Sequence, residues 1–189
     1  FDLTGLPPTV EALTRWLQHP RDSWYPEMID HLLASPAYGE RWGRFWLDVA
    51  GYADSEGGTT EDPVREVAWK YRDYVIRAFN ADKPWDRFLL EQLAGDELAA
   101  HRDPARVTPA IVDNLIATGF LRLGVDQTGS RTMNFVPERL GVIADAINVI
   151  GSGLLGLTLD CARCHGHKYD PLPQRDYYRL KAIFQGAFD

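Results

Sequence analysis

Cysteine is scarce: the chain holds two, Cys161 and Cys164, three positions apart and nowhere else. That excludes the framework of scattered disulfides with which small secreted domains brace themselves. No run alternates apolar and polar residues with the period of two that marks a strand, and no segment repeats. Positive charge is in deficit, with 20 Lys and Arg against 27 Asp and Glu and a formal net charge of −7. No basic face is therefore expected to neutralise nucleic-acid phosphates. A membrane span is also missing. The most apolar window, Leu140 to Leu159, contains Asp145, Asn148, Gly141, Gly151, Gly153 and Gly156, and reads as a buried helix followed by a close-packed turn. No Ser-His-Asp spacing, phosphate-cradling glycine loop or paired-acid motif stands out. The first residues, Phe1-Asp2-Leu3, supply neither an initiating Met nor a basic n-region, so the chain is expected to be a piece of a longer protein.

What is present is ordinary globular material with a surplus of aromatics. Hydrophobic residues make up 45% and aromatics 12%, with six Trp, enough for one core or one core plus a small lobe. Helical periodicity recurs along the chain. Val10, Leu13 and Leu17 share a face after the Pro7-Pro8 turn, and Ser23 with Pro26 opens a second helix bearing Tyr25, Ile29, Leu32 and Leu33. Trp42, Phe45, Trp46 and Val49 form an i, i+3, i+4, i+7 stripe that is expected to be core. Glu56 to Pro63 reads as a solvated loop. Val67, Tyr71, Val75 and Ala78 mark the next helix, and Trp85, Phe88, Leu89 and Leu93 the one after it. Thr108-Pro109 is an N-cap followed by a helix-opening proline. Gly119 to Phe135 reads as loop; Leu140, Ile143, Ala144, Ile147 and Ile150 as a strong stripe; and Pro173 as the start of a terminal helix with Tyr177, Leu180 and Phe184 along one side. The fold class expected is all-α: an irregular multi-helix domain.

The most specific chemistry lies just before that terminal helix, in Cys161-Ala162-Arg163-Cys164-His165-Gly166-His167-Lys168-Tyr169-Asp170-Pro171. Cys-x-x-Cys-His is the attachment spacing of a c-type haem. Thiols three apart on one helical turn reach the two vinyl groups of a porphyrin, and the following His165 is placed as the proximal iron ligand. Two other readings stay open. A redox disulfide of the thioredoxin type expects a βαβ neighbourhood, which is not visible. A zinc site could use Cys161, Cys164 and His167 with His165 or Asp170, but a structural zinc site usually takes its second pair from a distant segment. With haem, Arg163 is placed to pair with a propionate or to lie solvated. His167 is placed to hydrogen-bond a propionate or to support the ligand from outside. Met133 is a weak candidate for the distal ligand, with His31 and His101 behind it.

Several phrases in one order carry a resemblance: Phe1-Asp2-Leu3-Thr4-Gly5-Leu6-Pro7, Tyr38-Gly39-Glu40-Arg41-Trp42, Trp46-Leu47-Asp48-Val49-Ala50, Trp69 through Ile76, Asp82 through Phe88, Gln92 through Asp96, and Cys161 through Pro171. Together they resemble the planctomycete cytochrome-associated domain of unknown function named DUF1549 or PSCyt2, over essentially the whole chain, 1–189 as a single domain. The resemblance implies a large exported protein in which this domain follows a small cytochrome c domain and precedes a DUF1553-like one, hence a periplasmic or otherwise extracytoplasmic location. It implies no reaction. The family pattern has Asp and Phe where this chain has Gly166 and Tyr169, which removes a carboxylate between the two histidines. Three functions follow: an electron-transfer module carrying covalent haem c, a haem redox enzyme with an open distal face lined by carboxylates such as Asp48, Asp54, Asp73, Asp86 and Asp96, or an adaptor stapled by zinc.

Overall fold

The computed structural model describes residues 1–18, 22–57, 62–99, 107–125 and 136–186, the side chains of 136–138 excepted. Among these residues lie eight α-helices and no strand: α1 (Val10–Leu17), α2 (Trp24–Leu33), α3 (Pro36–Ala50), α4 (Trp69–Asn80), α5 (Trp85–Leu98), α6 (Pro109–Ala117), α7 (Val136–Ile150) and α8 (Gln174–Gln185). The all-α expectation holds. None of these helices is long and apolar enough to cross a membrane. The residues gather into two compact units, each built from two stretches of chain: 1–48 with 69–118, and 49–68 with 119–189.

Local signals set the helix ends. Thr9 Oγ1 accepts from the Ala12 amide at 3.1 Å, and Thr108 Oγ1 accepts from the Ile111 amide at 3.3 Å with Pro109 in the first turn. Both satisfy donors that a helix start otherwise leaves unpaired. Ser23 sits at the α2 N-cap but gives its hydroxyl to Glu27, 2.6 Å away, with no side-chain bond to the backbone. The α4 C-terminus closes by a pair of main-chain bonds, Asp82 N–H to Phe79 O and Lys83 N–H to Ala78 O, with Asp82 left-handed at φ +47°. Val67, expected within that helix, precedes it and is exposed.

In the first unit, only Trp46 of the aromatic stripe on α3 packs in the core. Gly39, Gly43 and Trp46 are buried, whereas Trp42 and Phe45 are not. A Cβ on Gly39 would lie 2.4 Å from the Ile76 carbonyl oxygen, so hydrogen side chains let α4 approach α3 closely. The displaced Phe45 is covered instead by the Arg41 guanidinium, 5.2 Å above its ring. Trp46 then anchors a buried polar network. Its indole N–H reaches Gln92 Oε1 at 2.8 Å and the Tyr71 hydroxyl at 3.0 Å, and Tyr71 donates to the same Gln92 oxygen. The residue before Gln92, Glu91, accepts from Tyr74 at 2.8 Å, Arg87 at 2.8 Å and Lys83. Phe88 stacks on Tyr74 at 6.0 Å and meets Trp46 edge-on at 5.0 Å. Gly95, just past a kink at Ala94, would place a Cβ 2.1 Å from the Asn114 carbonyl, so α5 and α6 touch backbone to backbone.

In the second unit, α7 buries Val142, Ile143, Ala146, Ile147 and Ile150, and α8 buries Tyr177. Part of the stretch read as loop is ordered as a 3₁₀ turn, Thr118–Arg122, which adds Phe120 and Leu121 to this core. Met133 and His101 lie outside the described residues. The neck of the loop after α3 is held by main-chain bonds, Glu56 N–H to Pro63 O at 3.0 Å and Arg65 N–H to Asp54 O at 2.8 Å. Arg65, its side chain 9% exposed, clamps it to Glu56 and to the carbonyls of Leu123 and Gly124. After α7 the chain widens into a π turn, Gly151–Leu155, and leaves it through left-handed Gly156. A Cβ at Gly151 would meet Leu159 at 2.8 Å. This is the close-packed turn the sequence implies, and it delivers the chain to the cysteine motif.

Candidate functional site

The motif begins in a 3₁₀ turn, Leu159–Arg163, with Cys164 at its end. Leu159 and Ala162 are buried, so this turn is fixed by its apolar side against the core of the second unit. Side chains three apart in a 3₁₀ helix eclipse one another. Cys161 and Cys164 therefore share a face, and both are exposed, unbridged thiols. The tightest hold on the turn is main-chain: the Arg163 carbonyl accepts from Gln174 Nε2 and from the Tyr178 hydroxyl, each at 3.1 Å, both from α8.

His165 follows, also exposed. Its Nδ1 lies 2.8 Å from the Gly166 carbonyl oxygen. A carbonyl can only accept, so this bond puts the proton on Nδ1 and leaves the Nε2 lone pair free. His167 is engaged at both ring nitrogens. Nδ1 accepts from the Asp170 amide at 2.9 Å and lies 3.1 Å from Asp170 Oδ2, while Nε2 lies 2.9 Å from Thr158 Oγ1. Its side chain is 5% exposed. The His167 amide also donates to Leu172 O at 2.8 Å. These bonds close residues 158 to 172 into a loop that presents the two sulfurs and His165 outward.

The sequence placed five residues at this site. Cys161, Cys164 and His165 are together on the exposed side. The Arg163 side chain is exposed too, close enough for its charge to act on Asp145 and Tyr177. Burial raises the Asp145 carboxyl above its ordinary value, Asp160 adds to the rise, and Arg163 opposes it. Burial likewise raises Tyr177, again opposed by Arg163. His167 is folded into the loop. Thr158, Gln174 and Tyr178 were not found from the sequence, because bonds spanning nine to fifteen residues leave no periodic signal. Among the described residues no three His, Cys, Asp or Glu side chains gather as a metal site. Of the aspartates considered as a pocket lining, none is buried. His31 lies in the first unit beside Trp16, at 5.8 Å between rings.

A family model for a protein of unknown function (DUF1549), PSCyt2, matches residues 1–188. The chain belongs to the PSCyt2 family. No curated protein and no solved structure matches it. Membership carries no reaction with it, so the chemistry of this PSCyt2 domain rests on its own residues. They fit a covalently attached haem: two accessible thiols on one face of a turn, and an imidazole whose inner nitrogen is tied to a carbonyl, so that in the neutral ring the outer nitrogen is the one available to a metal.

Proposed function

We propose that this PSCyt2 domain holds a c-type haem and serves as an extracytoplasmic electron-transfer domain within a larger protein. The observation that carries the reading is the bond from His165 Nδ1 to the Gly166 carbonyl beside two exposed thiols. Cys161 and Cys164 would anchor the group as thioethers, and His165 Nε2 would bind its iron. When bound, a haem supplies one-electron redox chemistry. The chain's own contribution is placement. The 3₁₀ turn fixes the sulfurs, α8 fixes the turn, and the Gly166 carbonyl fixes the imidazole. His167 contributes from within the loop, and the exposed Arg163 is available to a propionate. The neighbouring cytochrome c and DUF1553-like domains are the electron partners this reading implies.

Zinc is disfavoured by the same geometry. Both nitrogens of His167 are occupied inside the loop, and freeing one for a metal breaks the Thr158 or the Asp170 bond. The test is intact mass of the chain made alongside a haem-attachment system. The expected result is one added haem that survives denaturation. Cys161→Ala and Cys164→Ala each weaken that attachment, and together abolish it. His165→Ala keeps a covalently attached pigment but changes its reduced-state spectrum. Carbon monoxide then separates a closed electron-transfer site, which excludes it, from an open redox-enzyme site, which binds it. Stoichiometric zinc without iron in the purified chain would sink the haem reading.

A further inference from the structure

The first unit carries a cleft that the haem reading does not use, with a volume of about 430 Å³ and lined by Tyr38, Phe79, Asp82, Lys83, Trp85 and Phe88 among others. Its size suits a small ring-bearing ligand. Phe88 is buried, but Trp85 is 55% exposed although Trp46 packs edge-on against it at 5.2 Å. An indole braced by Trp46 and by Phe88, the latter 5.6 Å away, and still more than half exposed offers a flat apolar platform.

Three polar groups of the lining residues have no hydrogen-bond partner among the described residues: the Tyr38 hydroxyl, the Trp85 indole N–H and the Asp82 carboxylate. The lining ammonium, by contrast, is engaged, since Lys83 bonds Glu91 and sits 4.8 Å over the Tyr74 ring. Asp82 is the informative residue. It occupies the left-handed position that ends α4, with φ +47°, where glycine fits without the cost of a Cβ. Asp is among the few side chains that adopt this conformation, and here it sets a carboxylate on the edge of the cleft.

The inventory selects a ligand class. Aromatic faces favour a ring with an apolar side. Two donors and one acceptor favour a ring that also carries hydroxyls. A cation would leave the phenol and indole donors unmatched and would meet Lys83. We propose that this cleft binds a neutral sugar, a pyranose whose C–H face lies on Trp85 while a hydroxyl donates to Asp82. The proposal is independent of haem.

The experiment uses the 189-residue chain labelled with ¹⁵N, titrated with cellotetraose, maltotetraose and xylotetraose. The Trp85 indole N–H, assigned through Trp85→Phe, should move saturably at millimolar concentration with at least one of them. Asp82→Gly should keep or raise the melting temperature, because it relieves the left-handed strain, and should weaken binding about tenfold or more. Asp82→Asn, which tolerates the same backbone, should weaken binding similarly and serves if the glycine variant is poorly behaved. The proposal is overturned if none of the three sugars moves the Trp85 signal, or if both Asp82 variants bind as tightly as the parent. It is equally overturned if choline chloride moves the signal and the sugars do not.

Discussion

Glu91 shows what a single residue can hide from a sequence. A carboxylate on a helix is ordinarily a solvated one, yet Glu91 is 5% exposed and bonded by Lys83, Tyr74 and Arg87. Burial alone would raise its pKa, but those three donors more than offset it, and the carboxyl lies below its usual value. Glu91→Ala leaves Lys83 and Tyr74 facing a void and should cost about 3 kcal/mol, read from the urea midpoint at pH 7. The pH sign follows from linkage. A folded-state pKa below the unfolded one gives stability that is complete above the unfolded value and lost as pH falls through the folded one. The Glu91 variant should therefore differ most from the parent at neutral pH, and the gap should narrow toward pH 3. At the same scale, Cys161, Cys164 and His165 stood out because Cys-x-x-Cys-His is a motif of fixed order and spacing, and the structure leaves all three exposed. The bonds His167 makes were not legible. Its partners, Thr158 and the Asp170 amide, depend on how the loop closes.

At the scale of elements, start and stop signals were readable and packing faces only partly so. Thr108-Pro109 begins α6, and the α7 stripe is buried from Ile143 to Ile150 as its period implies, with Leu140 half-buried. The α3 stripe was right for Trp46 and misleading for Trp42 and Phe45, for a physical reason: helix contact needs close approach as well as apolar area. Gly39 and Gly43 provide that approach where Trp42 and Phe45 could not. The apolar face of a short helix also misleads, for Val10, Leu13 and Leu17 of α1 are all exposed. Gly95 carries the same lesson between α5 and α6. Gly95→Ala should lower stability by about 2 kcal/mol, since its Cβ meets a carbonyl at 2.1 Å that cannot swing aside. Gly141→Ala is the control. It sits in α7 with nothing within 4 Å of its Cβ, and should raise stability by about 0.5–1 kcal/mol. Urea titrations of the two variants check both signs.

Across the whole molecule, each unit holds one carboxyl shifted in the opposite direction. The first unit holds Glu91, whose contribution fades on acidification. The second holds Asp145, whose raised pKa makes its ionised form a burden on the fold; that burden lifts as pH falls through the raised value toward the ordinary one. Amide exchange, corrected for its intrinsic pH dependence, should lose protection in α5 before α7 between pH 7 and pH 3. Equal loss in both helices would count against this. Because each unit combines two separate stretches, the chain passes between them at 48–49, 68–69 and 118–119, and a single cut frees neither. The hold of α8 on the Arg163 carbonyl reaches further still. Because that acceptor is main-chain, any residue at 163 preserves it, whereas a stop codon before Gln174 removes both of its donors. A shortened gene product could keep every letter of the Cys-x-x-Cys-His signature and have lost the brace that gives the signature its shape.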